Sequence, residues 1–564
     1  MNADRLSAGR SGAFRALAGA ALLIAAVTAL ARIAGFGRLL VFSRTVGPNC
    51  LGAAYTTANQ VPNIVFEIVA GGALAGLVVP LAAPLLAGVR AGRRPEAGSG
   101  AKPEPDLAGR SVAEVGRIVS ALLTWSLLIL TPIAVLGMFL VTPIVSGLLG
   151  LPPAGCPPET AEVAARMLLL FLPQIPLYGV AVVLSGFLQA DRRFLGPALA
   201  PLLSSLVVAA TYLAFAAVAD GRQSDLTALP TSAGLLLAGG TTLGVVVLAG
   251  SLLVPLRHTG VRLRPSLRFP PGVRRRALVL AGAGVAAVVG QQLATVVIIR
   301  LANRQGTDAS VVLYSYAWAL YLLPYAILAV PIATSVFPHL STAWAQAGER
   351  FSRAVAASSR AVLLVSAAGG AVLAATAVPV SAVFVRGAPG AGVPPDDLAR
   401  ALVAWAPGLV GYGLVAHLSR VLYAGGHGRQ AATGTVVGWV VVAVADVLLA
   451  LTVEPPDVVA ALGLGNAIGM TVAAVMLALA VRRSGGNGAL SGLPRTLLAG
   501  LTAGVLAALA GNRLADLFGS PGPAASSLVA VLAALVAGGV FAVIALALDG
   551  PDVRALLRRR WAGA

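Results

Sequence analysis

The chain has 564 residues, of which 58% are hydrophobic and only 11% charged, with a mean hydropathy of +0.89 and a formal net charge of +19. A soluble domain carries about 25% charged residues, so this chain cannot clothe a water-facing surface, and a string of soluble domains is excluded. The basic residues stand between apolar runs, where they encode membrane topology rather than nucleic-acid binding, and two cysteines with four histidines offer no metal or disulfide framework.

A membrane-crossing helix needs about 20 apolar residues. Reading apolar runs between charged or Pro/Gly-rich breaks predicts about fourteen such helices. Their approximate extents are 16–46, 51–88, 117–148, 163–189, 197–219, 232–255, 277–301, 310–336, 358–384, 401–424, 431–453, 457–481, 496–512 and 526–548. The first two exceed the membrane thickness and contain glycine or proline, so they are expected to tilt, bend or break. Arg5, Arg10 and Arg15 ahead of the apolar stretch from Ala16 to Ala31 also fit a secretory signal, but the length of the stretch and the many spans that follow favour a retained helix.

Of the forty Lys and Arg residues only Lys102 is a lysine. With a cytoplasmic N-terminus, the inside segments collect 29 basic residues and the outside segments six. That bias predicts both termini inside and an even number of spans. Segment 89–111 reads as a flexible connector. The expected architecture is all-α, with two pseudo-symmetric six-helix lobes at 1–255 and 277–484. A basic cytoplasmic linker at 256–276 joins them, resting on anionic headgroups, and two further helices with a basic tail occupy 485–564. A weak internal repeat supports this division. The second span has Tyr55, Pro62 and Pro80, and the eighth has Tyr314, Tyr316, Pro324 and Pro338. Transporters built from repeats bind their cargo between the halves near the membrane midplane.

Ionisable groups at membrane depth are costly and therefore functional candidates. Arg32 and Arg38 in the first span are the richest case. Six residues apart, they lie on helix faces roughly 120° apart, and Gly35 and Gly37 between them permit a bend towards one cavity. Guanidinium is permanently charged and grips phosphate bidentately, which suits a pyrophosphate; snorkelling to the headgroup layer is the plainer alternative and is the expectation for Arg44. Glu67 follows the Pro62 break. It is a candidate partner of Arg32 or Arg38, a structural ion pair, or a coupling group that exchanges a cation or proton. Asp446, an isolated carboxylate in the eleventh span, is a second coupling candidate, against the plainer reading of a hydrogen bond to a neighbouring helix. His417 and Arg420 read as interfacial. Cys50 and Cys156 both fall on the outer side, where oxidation is chemically accessible, but their spacing does not argue for pairing. No nucleophile–base pair, phosphate-binding Gly-Lys loop or metal spacing stands out, so no enzymatic chemistry or cofactor is expected.

From Arg32 onwards the stretches ARIAGFGR, GPNCLGAAYTTANQVPN and GGALAGLVVPLAAPLL resemble the opening two helices of the MurJ (MviN) family. SGFLQADRRFLGPALAPLLSS, from Ser185 to Ser205, resembles the family's fourth-to-fifth helix junction, and Pro338-His339-Leu340-Ser341 the end of its eighth helix. The resemblance implies a lipid II flippase of the multidrug/oligosaccharidyl-lipid/polysaccharide exporter superfamily. It would be an alternating-access carrier whose central cationic cavity takes an undecaprenyl-pyrophosphate-linked sugar while the lipid tail stays in the bilayer. It assigns pyrophosphate contact to Arg32 and Arg38, and Asn63 and Glu67 complete the candidate binding set. Some positions depart from the family. Its acidic residue after the first helix corresponds to Ala53, its arginine pair in the second helix to Phe66 and Glu67, and its charged group in the eighth helix to Trp318, Ala319 and Leu322.

The leading expectation is thus a diverged bacterial member in the cytoplasmic membrane, moving lipid II or a related glycan and contacting membrane lipids and cell-wall synthesis or division proteins. Two other readings stand beside it: a cation-coupled multidrug-type exporter relying on Glu67 or Asp446, and a non-transporting cell-wall scaffold.

Overall fold

The computed structural model describes residues 23, 26–92, 105–150, 155–269, 273–336, 349–390, 392–485, 487–519 and 522–557. The Pro338–Ser341 motif, most of the 89–111 connector, Arg5, Arg10, Arg15 and the basic tail lie outside these residues. Among the described residues there is no strand, as expected where lipid forces every backbone group to be paired within its own helix.

The first half comprises α1 (Ala26–Thr45), α2 (Cys50–Glu67), α3 (Ala75–Gly92), α4 (Pro105–Phe139), α5 (Val141–Leu149), α6 (Glu159–Phe171), α7 (Gln174–Ala190), α8 (Leu195–Ala219), α9 (Thr231–Ser251) and α10 (Leu253–Arg257). The second comprises α11 (Val273–Gln305), α12 (Ser310–Pro324), α13 (330–336), α14 (Glu349–Ala375), α15 (Ala377–Val385), α16 (Pro395–Trp405), α17 (Gly408–Ala424), α18 (Gly428–Ala450) and α19 (Val458–Gly485), followed by α20 (Leu493–Leu517) and α21 (Pro523–Leu557). Among the described residues twelve helices are long and apolar enough to cross a membrane, or thirteen when α16 and α17, bent by 44°, count as one. The bend falls at Pro407, whose ring and missing N–H break the helical ladder. The crossing expected at 51–88 is helical but interrupted: α2 passes into a π-helical turn at Ile68–Leu74 before α3 begins. The eighth span behaves alike, with α12 passing directly into a π-helical turn at Tyr325–Ala329. The two helices linked by the weak repeat therefore share a defect, six residues after Pro62 in one and directly after Pro324 in the other.

At one end, α1 and α2 are fastened to the second half. The Ser43 hydroxyl donates to the Phe384 carbonyl, and Arg44 donates to the carbonyls of Arg386 and, at 2.6 Å, Val383. Arg44 is thus not snorkelling. It satisfies carbonyls at the C-terminus of α15, which have no partners within that helix and carry partial negative charge. Asn49 caps α2 by accepting from the Gly52 amide at 2.9 Å, while its Nδ2 donates to Val46 and Pro389 carbonyls at 2.8 and 3.1 Å. Gly47, at φ +82°, lets the chain pass close to Pro389, whose carbonyl oxygen would lie 2.5 Å from an added Cβ. Cys50 and Cys156 form a disulfide, with Cα atoms 5.6 Å apart, tying the start of α2 to the segment before α6.

The basic linker is docked rather than loose. Ser120 and Thr124 of α4 accept from the amides of Arg264 and Ser266 at 3.0 and 3.1 Å, and Trp125 donates to the Leu267 carbonyl at 3.1 Å. Val261, Leu263 and Phe269 pack inward while Arg262 and Arg264 are exposed. The last two helices close on α14 through small residues, Ala367, Ala371 and Ala375 against Ala503, Ala507 and Ala537, a composition that lets helix backbones approach in lipid.

Gly47→Ala should therefore lower the thermal transition of the detergent-solubilised protein, by a cost of about 1–3 kcal/mol for a non-glycine held at positive φ. Gly35→Ala is the contrasting case. It faces open space in a helix interior, so its transition should hold or rise, by about 0.5–1 kcal/mol of helix propensity.

Candidate functional site

A cavity of about 710 Å³ opens among α1, α2, α8, α9, α11, α12 and α17, within the roughly 300–1,000 Å³ typical of ligand sites. Arg32 and Arg38 both line it, as do Asn63 and Glu67. The helix carrying the arginines runs unbroken from Ala26 to Thr45. Both side chains reach the cavity from this continuous helix, with no break at Gly35 or Gly37. The lipid side of the same helix is marked by Ile33, 66% exposed.

Charge in this cavity is unbalanced. Among the described residues neither guanidinium is ion-paired, and Glu67, exposed to the cavity, pairs with neither of them. Of the alternatives open to Glu67, an ion pair with Arg32 or Arg38 is not formed among the described residues. Around the charges stand neutral hydrogen-bonding groups: Asn59, Gln60 and Asn63 on α2, and Gln291, Gln292 and Thr295 on α11. Asn63 accepts from Tyr178 at 3.2 Å. Tyr55 is held by Tyr212 and Thr241 at 2.8 and 2.9 Å, fixing the floor between α2, α8 and α9.

The positions that depart from the family pattern divide in two. Ala53 is buried in the core. Phe66 lines the cavity and packs on Tyr178 with centroids 4.5 Å apart. Trp318 and Leu322 line the opposite side, whereas Ala319 does not reach it. In place of charge, α12, the π-helical turn after it and α17 offer Tyr314, Trp318, Tyr325 and Tyr412. The sequence carries a signal for this wall, because residues 314, 318, 321 and 325 recur at helical spacing on one face. Read as an apolar span, that periodicity shows no preference between core and cavity.

Asp446 lies outside the cavity. It is fully buried on α18 against α19, where a Cβ on Gly465 would collide with its carboxylate. Neither of its carboxylate oxygens has a hydrogen-bond partner among the described residues, contrary to the plain expectation of an interhelical hydrogen bond. It interacts electrostatically with Tyr314, which does line the cavity. His417 is also not interfacial. It is fully buried and hydrogen-bonded to Ser358 at 3.1 Å. Arg420, one turn on, interacts with Tyr325 at the cavity wall and donates to the Ala416 carbonyl at 2.6 Å.

Comparison with known proteins agrees with this picture. The sequence pattern of the family described as lipid II flippase MurJ matches residues 42–519; it begins after Arg32 and Arg38, which therefore rest on the cavity geometry. A probable lipid II flippase MurJ of Synechocystis sp. is 28% identical over 262 residues, 46% of this chain and 44% of that protein. One of Rhizobium tropici is 26% identical over 306 residues, 54% of this chain and 51% of that protein. The chain thus spans about half the length of the curated relatives it matches. Among solved structures, a lipid II flippase MurJ in an inward closed conformation superposes with a TM-score of 0.68 at 17% identity, covering 92% of this chain and 98% of that one. An inward-facing multidrug-resistance MATE transporter of the MOP superfamily gives 0.63 at 17% identity, covering 80% and 94%. These two likenesses establish the fold. Because the family pattern extends over most of the sequence, the chain belongs to the MurJ family.

Proposed function

We propose that this protein moves lipid II, or a related undecaprenyl-pyrophosphate glycan, across the cytoplasmic membrane by alternating access. The observation that carries this reading is a pair of guanidiniums, Arg32 and Arg38, lining one cavity without a carboxylate partner among the described residues. A pyrophosphate supplies the missing negative charge, and charge-assisted hydrogen bonds from two arginines hold it in defined geometry. The neutral amides of Asn63, Gln291 and Gln292 suit a headgroup rich in hydroxyl and amide groups. The polyprenyl tail stays among the lipids outside.

Movement divides the chain at the basic linker, with 1–255 and 277–484 as the two lobes and both termini on the cytoplasmic side. The Ser43, Arg44 and Asn49 bonds to 383–389 close the end remote from Arg32 and must open for release. Glu67 and Asp446 are the candidates for coupling to a cation or proton. A buried carboxylate with no partner is costly, and neutralisation by such a cation relieves that cost.

Complementation of a strain depleted of its lipid II flippase tests the site. Wild type should rescue, and Arg32→Ala with Arg38→Ala should not. Lipid II binding by the purified double variant should fall at least about tenfold, since each charged hydrogen bond is worth about 1.5–3 kcal/mol. Rescue indifferent to both substitutions removes the site, and rescue failure accompanied by altered drug susceptibility favours a multidrug-type exporter of the same fold. Asp446→Asn addresses coupling. It should leave thermal stability unchanged or higher, because it removes a buried unpaired charge, while transport loses its dependence on the driving cation. Transport that keeps that dependence excludes Asp446 from coupling.

A further inference from the structure

The second half of the cavity carries aromatic rings where the family pattern has charge, and these rings pack on one another. Trp405 and Tyr321 are fully buried and form the backing. In front of them Trp318, Tyr325 and Tyr412 are half-buried and line the cavity. Trp318 stacks on Tyr321 with centroids 5.8 Å apart and meets Trp405 edge-on at 5.5 Å. Tyr412 receives edge contacts from Tyr325 at 4.7 Å and from Trp318 at 6.2 Å, with interplanar angles of 81° and 89°. The three rings pack against the core on one side and present their remaining surface to a polar cavity on the other. Tyr325 opens the π-helical turn, an irregularity frequent at functional sites.

We propose that Trp318, Tyr325 and Tyr412 form a saccharide subsite, against which a pyranose ring of the cargo rests while Arg32 and Arg38 hold its phosphates. This rests on the reading that the cargo is a lipid-linked glycan. A pyranose has an apolar face of C–H bonds and a rim of hydroxyls. The negative π-face of an aromatic ring attracts the former, and the amides of Gln291 and Gln292 on neighbouring α11 can serve the latter. A prenyl chain would gain from the same rings only by apolar burial and would leave those amides unpaired. The cavity is thus divided: charge on α1 reads the anion common to all such lipids, and the rings on α12 and α17 read the sugar.

The test uses the full chain in nanodiscs with two ligands of identical tail and pyrophosphate, lipid II and sugar-free undecaprenyl pyrophosphate. Wild type should prefer lipid II by about tenfold or more, as expected for two or three ring contacts. Trp318→Leu and Tyr412→Leu, which keep apolar volume but remove the ring, should reduce that preference severalfold and leave undecaprenyl pyrophosphate binding unchanged. Trp318→Phe and Tyr412→Phe should retain it. Arg32→Ala with Arg38→Ala should weaken both ligands. Equal binding of the two ligands by wild type, or leucine variants that weaken both alike, overturns the subsite while leaving the flippase reading intact. Binding of neither ligand by wild type overturns that reading, and the subsite with it.

Discussion

A permanently charged guanidinium at bilayer depth must find water, an anion or a carboxylate. Arg32 and Arg38 have no carboxylate partner among the described residues, so water or an anion has to reach them, and the space between the helices follows from that need. The amides and hydroxyls around the cavity extend the polar environment the charges require. Glu67 belongs to the same setting, opening onto the cavity that the two guanidiniums line. Asp446 is the opposite case, a carboxylate buried without a hydrogen-bond partner among the described residues and seated against Gly465.

A cavity between packed helices requires some helices to deviate without exposing backbone groups to lipid. The chain does this with proline followed by a wide π-helical turn, after Pro62 in α2 and directly after Pro324 in α12. Irregular backbone at this depth is tolerated where it faces a cavity or other protein. Both turns meet these conditions: Tyr325 faces the cavity and Pro324 before it lies against α14, where a Cβ on Gly369 would sit 2.9 Å away, while the turn at Ile68–Leu74 packs on α11, where a Cβ on Gly71 would sit 3.4 Å from Val288.

Spans and charges were legible in the sequence because each is a local property. An apolar run of sufficient length is a crossing wherever it packs, and Arg32 and Arg38 stand out against their own neighbours. Contacts between distant segments were not. Arg44 looked like an interfacial residue because its acceptors, the carbonyls of Val383 and Arg386, lie over three hundred residues away. Cys50 and Cys156 gave no hint of pairing across 106 residues. His417 sat near a predicted helix end yet is buried by α14 through Ser358. The aromatic wall was hidden differently. Its spacing is plain, but in a chain of apolar spans a helical face identifies a packed side without saying whether protein, lipid or ligand covers it.

In the proposed carrier, the placement of these groups on α1 links recognition to gating. Arg38 and Arg44 are six residues apart, about 9 Å along the helix axis. One lines the cavity and the other fastens the closed end to α15. Any conformation that releases the Arg44 contacts must shift α1 relative to α15, and a continuous helix transmits that shift to the guanidiniums. The aromatic wall sits on α12 and α17, so the same movement changes the distance between the charged and aromatic sides. A ligand that touches both sides therefore has different affinities for the closed and open arrangements, which is the condition for binding to bias a conformational equilibrium. A ligand held by the arginines alone would move with α1 and exert little such bias.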